Sequence, residues 1–319
     1  MTDLNAFVAE VAGTAPTHAA RQVQVPGFVQ PLPAMVLARH TRGSKGTPLV
    51  VCFHGAIDRT KRHFPAFEGR FLLLNGLQGN ANVVSIADPS LSLHPNLRAA
   101  WFAGDAVTDT PNAIAALVVE LVSRLLPDRV VFVGGSTGAH AALVQSIRVP
   151  GSVAVIENPI LHISRYSPRH IAEYRQFCWP QLPRTAALPA SVNDNAAGLY
   201  ANGFANTVVL LNNTRDSHFW SQASGLLNAI GSGDGRDRCL LYSDFFADHP
   251  GHSFPPAVWA RWVLAACGAP SPSIADIGQH YAASLTATDR KGTAATATAA
   301  DMDLTQRIYQ ALTAGGQAV

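Results

Sequence analysis

Residues 130–139 run Val-Val-Phe-Val-Gly-Gly-Ser-Thr-Gly-Ala. A serine between glycines, where a β-forming run meets a helical pattern, is a setting that can make a hydroxyl a nucleophile. The strand ends, the chain turns sharply, and the side chain stands at a helix N-terminus. The first N–H groups of that helix lack partners within it, and its dipole favours negative charge. An oxyanion formed by attack of Ser136 on a carbonyl would therefore meet donors. Gly134 and Gly138 stand where a Cβ would collide with neighbouring elements. The bland alternative is a glycine-rich turn in which Ser136 caps a helix.

A serine hydroxyl needs a base within hydrogen-bond reach, and the base needs an acid to orient it. In a parallel sheet such groups lie just beyond the carboxyl ends of strands. After the apolar run Thr207–Leu211 comes Asn212-Asn213-Thr214-Arg215-Asp216-Ser217-His218, with Asp216 its single carboxylate. Asp216 is the candidate acid; otherwise it caps the helix that starts near Ser217. After Arg238–Tyr242 two histidines follow, His249 and His252. His252 is the favoured base, because Gly251 frees its turn while Pro250 restricts the backbone of His249. Asp244 and Asp248 are the next carboxylates near that loop. His218 is a candidate to line the site. His140, one helical turn past Ser136, is expected to pack or cap.

The elements that must position these groups can be read from apolar runs and breakers. Strands are expected at Gln22–Val25, Ala34–His40, Pro48–Phe53, Ala81–Ala87, Arg129–Val133, Ser152–Ile156, Thr207–Leu211 and Arg238–Tyr242. Thr110 as cap and Pro111 at the first helical position open a helix whose apolar residues recur to Leu125. Further helices are expected over Ala139–Val149 and Pro256–Ala266. Strands alternating with helices predict a mainly parallel sheet covered on both faces, with the two earliest strands as an antiparallel edge.

Residues 158–205 hold two weaker helical patterns, 163–178 and 190–202, and read as a lid over the site or as a long helical connection. The catalytic-type domain is expected to span 1–267. Residues 268–319 read as a Pro/Ser linker, an Ala/Thr-rich low-complexity tract and one amphipathic helix, Asp301–Leu312, through which copies of the chain could pair.

Chemistry, order and setting together resemble the α/β-hydrolase superfamily over about residues 20–267. The resemblance rests on the Gly134–Gly138 turn, the order Ser136, Asp216, His252, and His54-Gly55 after an early apolar strand. It implies an oxyanion hole made by the N–H of Thr137 and that of Ala56 or Ile57, with Ala56 preferred. It also puts His54 and Gly55 on the substrate side, with His218. The sequence departs from the lipase-like His-Gly-Gly-Gly run, having Ala56-Ile57-Asp58 after Gly55. The implied activity is cleavage of an ester-type bond through an acyl-enzyme. Water as acceptor gives hydrolysis, and a sugar or other hydroxyl gives O-acyl transfer. A hydrolase fold kept as a non-enzymatic scaffold is the remaining alternative.

Composition narrows the partners. The chain of 319 residues is 48% hydrophobic with a net charge of +2, which suits a large core and offers no basic surface for nucleic acid. A small-molecule or saccharide ester is the expected substrate. No signal-like start and no run long enough for a membrane span appear, so a cytoplasmic protein is expected. Four scattered cysteines predict no disulfide framework. No cofactor motif is present, and none is expected. Asp248 with His249-Pro250-Gly251-His252 is a weak metal pattern, and no metal is expected there. Asp58, Arg59, Lys61, Arg62 and His63 read as a solvated loop, with a grip on a charged substrate as the alternative.

Overall fold

The computed structural model describes residues 1–13, 19–40, 46–77, 79–183, 185–231 and 235–285. The expected helix over 301–312 lies outside them.

Nine strands form one sheet among the described residues. In chain order they are β1 (Thr2–Asp3), β2 (Ala20–Gln24), β3 (Leu32–Ala38), β4 (Leu49–Phe53), β5 (Asn82–Ile86), β6 (Val130–Gly135), β7 (Val153–Glu157), β8 (Thr207–Asn213) and β9 (Cys239–Asp244). Their order across the sheet is β1-β2-β3-β5-β4-β6-β7-β8-β9. From β5 to β9 every pairing is parallel, while β3 runs antiparallel to β2 and to β5. The early antiparallel edge is thus present, with the two-residue β1 added outside it.

The helices are α1 (Leu4–Ala12), α2 (Arg70–Leu72), α3 (Thr110–Leu125), α4 (Thr137–Ser146), α5 (Pro168–Cys178), α6 (Ser224–Gly231), α7 (Pro256–Gly268) and α8 (Ile274–Ser284). Strand residues alternate between two cores, because successive side chains leave opposite faces of a sheet. Val130 and Phe132 face α1, α3, α4 and α6, whereas Val131 and Val133 face α2, α7 and α8. The cap of α3 is Asp109, which accepts from the Asn112 N–H, and not Thr110, and the structure adds a helix after residue 267. Residues 274–284 were expected within a linker, yet they form α8. Ser273 caps it by accepting from the Asp276 N–H, and Tyr281 stacks on Trp262 of α7 at 3.8 Å. The packed domain therefore runs past residue 267.

Residues 158–205 do not form a separate lid layer throughout. Ile160, Ile163, Tyr174, Cys178, Trp179 and Val192 pack with Ile57, Leu91 and Trp101 into a third core above the carboxyl edge of the sheet. Ala196, Ala197 and Tyr200 belong to the main core instead.

Strand register sets the level of the site. Phe53, Gly134, Ile156 and Leu210 are paired neighbour to neighbour, so β4, β6 and β7 end at or one residue past one rung, while β8 continues to Asn213. Everything that follows that rung emerges on the same edge.

Candidate active site

β6 delivers Ser136 on a sharp turn into α4. Its backbone lies at φ 52° and ψ −122°, which a residue with a side chain adopts only under strain. The strain is held by neighbours: the Ser136 N–H donates to the Glu157 carbonyl at 3.0 Å, and the Ser136 carbonyl accepts from Ile160 N–H at 3.0 Å. The close crossing explains the glycines. A Cβ on Gly138 would sit 2.6 Å from the carbonyl oxygens of both Phe53 and His54, and one on Gly134 would overlap the Gly138 carbonyl.

The Ser136 hydroxyl lies 2.9 Å from His252 Nε2, and His252 Nδ1 lies 3.0 Å from Asp216 Oδ1. A hydrogen-bonded chain thus joins three groups from three separate strand ends. Asp216 Oδ1 also accepts from the His218 N–H at 3.0 Å, and the Asp216 N–H donates to the Asn213 carbonyl at 2.8 Å. His249 lies apart from this chain, its Nδ1 3.1 Å from Ser253 Oγ. Asp244 binds its own loop, accepting from Phe245 N–H and Tyr242 hydroxyl.

The electrostatics favour an ionised acid. Burial raises the Asp216 pKa, but the hydrogen bond and charge of His252 and the two bonds from His218 outweigh it, so the carboxyl stays below its ordinary value. Glu157, at the end of β7 beside the turn, is the opposite case. Burial first, then the charges of Asp216 and Glu68, push its pKa up to about 8. Among the described residues, its Oε2 is buried without a hydrogen-bond partner.

Among the described residues, the Ile57 N–H is taken by the Arg98 carbonyl at 2.8 Å, whereas no acceptor is paired with the Ala56 N–H. Gly55 brings that loop against the turn: a Cβ there would lie 3.3 Å from Ser136 Cβ. Thr137 is the first residue of α4, so its N–H has no helical acceptor.

No family model matches the chain, and comparison with curated proteins finds none similar to it. Solved structures match in shape. The capsule O-acetyltransferase of Neisseria meningitidis serogroup A superposes with a TM-score of 0.53 at 10% identity, covering 80% of this chain and 97% of its own. A variant of that enzyme in complex with CoA gives 0.50 at 11%, covering 81% and 98%. FphF, a fluorophosphonate-binding serine hydrolase of Staphylococcus aureus, gives 0.51 at 11%, covering 82% and 96%. The chain has the α/β-hydrolase fold. At these identities the likeness is one of fold.

Within this hydrolase fold, two of the expected substrate-side residues are placed differently. His54 is 3% exposed. Its Nδ1 meets the Gly55 carbonyl at 2.7 Å, and its Nε2 accepts from Asp88 N–H at 3.0 Å. Burial lowers its pKa to about 4, so the ring is neutral and both nitrogens are committed. It shapes the loop after β4 and leaves no atom for a ligand. Gly55 likewise serves the close approach to Ser136. His218 does face the site, 5.0 Å from the His252 ring and 5.5 Å from Tyr166. His140 packs, its Nε2 2.8 Å from the Asn193 carbonyl. The polar loop 58–63 pairs internally through Asp58 and Lys61 at 3.6 Å.

Three positioning groups were not singled out from sequence. Asn158 Oδ1 accepts from the Asn213 N–H at 2.9 Å, joining the ends of β7 and β8. Asn213 Nδ2 donates to the carbonyls of His249 and Ser253, both at 2.7 Å, and so pins the loop that carries His252. Tyr166 comes from the 158–205 segment and stands beside His218. The available signal was an asparagine directly after β7 and another closing β8, since an asparagine amide can bridge loops.

Proposed function

We propose that the hydrolase fold here carries an acyl-transfer enzyme that cleaves ester-type bonds through Ser136. The observation that carries this reading is the hydrogen-bonded chain from Ser136 through His252 to Asp216, set on a strained turn at a helix N-terminus.

In this reading Ser136 Oγ attacks the carbonyl carbon and its proton passes to His252 Nε2. Asp216 holds the proton on Nδ1 and stabilises the imidazolium. The N–H groups of Thr137 and Ala56 stabilise the tetrahedral oxyanion. Collapse breaks the ester bond, and the leaving alkoxide takes the proton from Nε2. An acceptor hydroxyl then attacks the acyl-serine while His252 removes its proton. The second collapse returns that proton to Ser136.

With water as acceptor the product is a free acid. With a saccharide or other hydroxyl it is a new ester. The likeness in fold to an O-acetyltransferase, and to its CoA-bound variant, supports keeping that second acceptor in view. A panel of short and long acyl esters, given to wild type and Ser136→Ala with and without polyol acceptors, tests both. Acid release lost in Ser136→Ala supports the serine mechanism, and acylated polyol in the product supports transfer. Equal turnover by both proteins would overturn the reading.

A further inference from the structure

Asp216 Oδ1 is approached by two imidazoles, not one. His252 Nδ1 lies 3.0 Å away and His218 Nδ1 3.1 Å away. The ligand-type atoms of all three residues fall within 4.8 Å of one another. The loop 212–218 supplies two of these groups as Asp216-Ser217-His218, and the 248–252 loop supplies the third. The proton transfers between Ser136 and His252 need only one of these imidazoles.

We propose that Asp216, His218 and His252 form a binding site for one zinc-class divalent ion. Tetrahedral zinc bonds of 2.0–2.1 Å to nitrogen and oxygen place neighbouring ligand atoms about 3.3 Å apart. The two N···O separations are already close to that, so small rotations of the rings off Oδ1 open the position. The frame is rigid where it must be: Asp216 is tied to Asn213, and the His252 loop to Asn158 and Asn213. It is open where an ion must enter, since the His218 and His252 side chains are 35% and 29% exposed while that of Asp216 is 1% exposed. A water completes the fourth position.

Two imidazoles and one carboxylate suit Zn²⁺, Ni²⁺ and Cu²⁺, whereas Mg²⁺ and Ca²⁺ favour all-oxygen sets. Both histidines bind the ion through Nδ1 as neutral rings, so each carries its proton on Nε2 instead. For His252 this tautomer has lost the Nε2 lone pair that would accept the Ser136 proton. The ion therefore silences the base reversibly. This consequence rests on the catalytic reading of His252; the binding site does not.

Metal-stripped full-length protein, titrated with ZnCl2 in a calorimeter and with Co²⁺ in a spectrophotometer, tests the site. The expected result is one Zn²⁺ per chain and Co²⁺ bands of tetrahedral intensity. Affinity should fall at least tenfold in His218→Ala and in His252→Ala and stay within twofold in Ser136→Ala. His218→Gln replaces His218→Ala if circular dichroism shows the latter unfolded. Absence of saturable binding, or affinity unchanged in both histidine variants, overturns the proposal. In parallel, Zn²⁺ but not Mg²⁺ should inhibit ester cleavage, with recovery on adding EDTA. Zinc binding without any ester cleavage would remove the functional reading and leave the site. Cleavage without zinc binding would do the reverse.

Discussion

Asn158 Nδ2 donates to the His252 carbonyl at 3.1 Å, so the residue that follows β7 holds the loop that carries the imidazole facing Ser136. The same side chain accepts from Asn213 N–H, and its backbone sits at φ 35°. One amide thus fixes the distance between two loops that are 94 residues apart in the chain.

Asn158→Ala is expected to lose both bonds and to suffer from its positive φ. The stability cost should be roughly 1–3 kcal/mol, and acylation of Ser136 should slow by about tenfold or more, as expected for a misplaced catalytic group. Burst kinetics with an activated ester, beside a melting curve, measure both. An unchanged acylation rate would mean that the loop holds its place without Asn158.

Asp216→Asn separates an acid from a helix cap. Asparagine caps as well as aspartate, so melting should barely change. If Asp216 orients His252, turnover near pH 7 should fall by ~10⁴, because an amide favours the wrong imidazole tautomer. A variant with wild-type turnover would show that the carboxylate only shapes the loop.

Glu157 gives a pH test. Its folded pKa of about 8 stands above its ordinary 4.5. Between those values the unfolded chain gives up the proton and the folded chain keeps it. The stability Glu157 contributes is therefore full below pH 4.5 and is lost as pH rises through about 8. His54, with its pKa lowered to about 4, acts in the opposite sense, losing its contribution as pH falls from 6.5. The two effects overlap in the wild type, so the comparison needs a variant. Melting of Glu157→Gln relative to wild type should improve steadily from pH 5 to pH 8. A constant difference would show that Glu157 is ionised in the folded protein throughout.

Truncation after Gly268 removes α8, with buried Ile277 and Tyr281. Burying such side chains stabilises by roughly 1.5–3 kcal/mol each, so melting should drop by roughly 10 °C. The reference for this comparison is the product truncated after Leu285, which keeps α8. Equal melting of both products would show that α8 adds nothing to the fold.

Much of this arrangement was legible in the sequence because it depends on local rules. Apolar runs ended by glycine or polar residues marked β4 to β9 within a residue or two. Pro111 and Pro256 marked helix starts. Ser136, Asp216 and His252 could be named because each follows a strand end, and register brings strand ends to one edge. What local rules could not reveal was partnership across the chain. His54 looked accessible beside Gly55, yet Asp88, 34 residues on, takes its second nitrogen. Residues 274–284 looked like linker because Pro-Ser-Pro-Ser precedes them; the partners of Tyr281, Trp262 and Tyr242, are distant in the chain. The sharing of Asp216 between two imidazoles likewise depends on a loop meeting another loop.

If Ser136 is a nucleophile activated by His252, a fluorophosphonate must react at that serine. Incubation with a fluorophosphonate probe, followed by peptide mass spectrometry, measures it most directly. The expected result is a single phosphonyl adduct on Ser136 in the wild type, at least a thousandfold slower labelling in His252→Ala, as for loss of the base, and none in Ser136→Ala. An adduct on another residue, or no adduct on a folded wild-type protein, would contradict it.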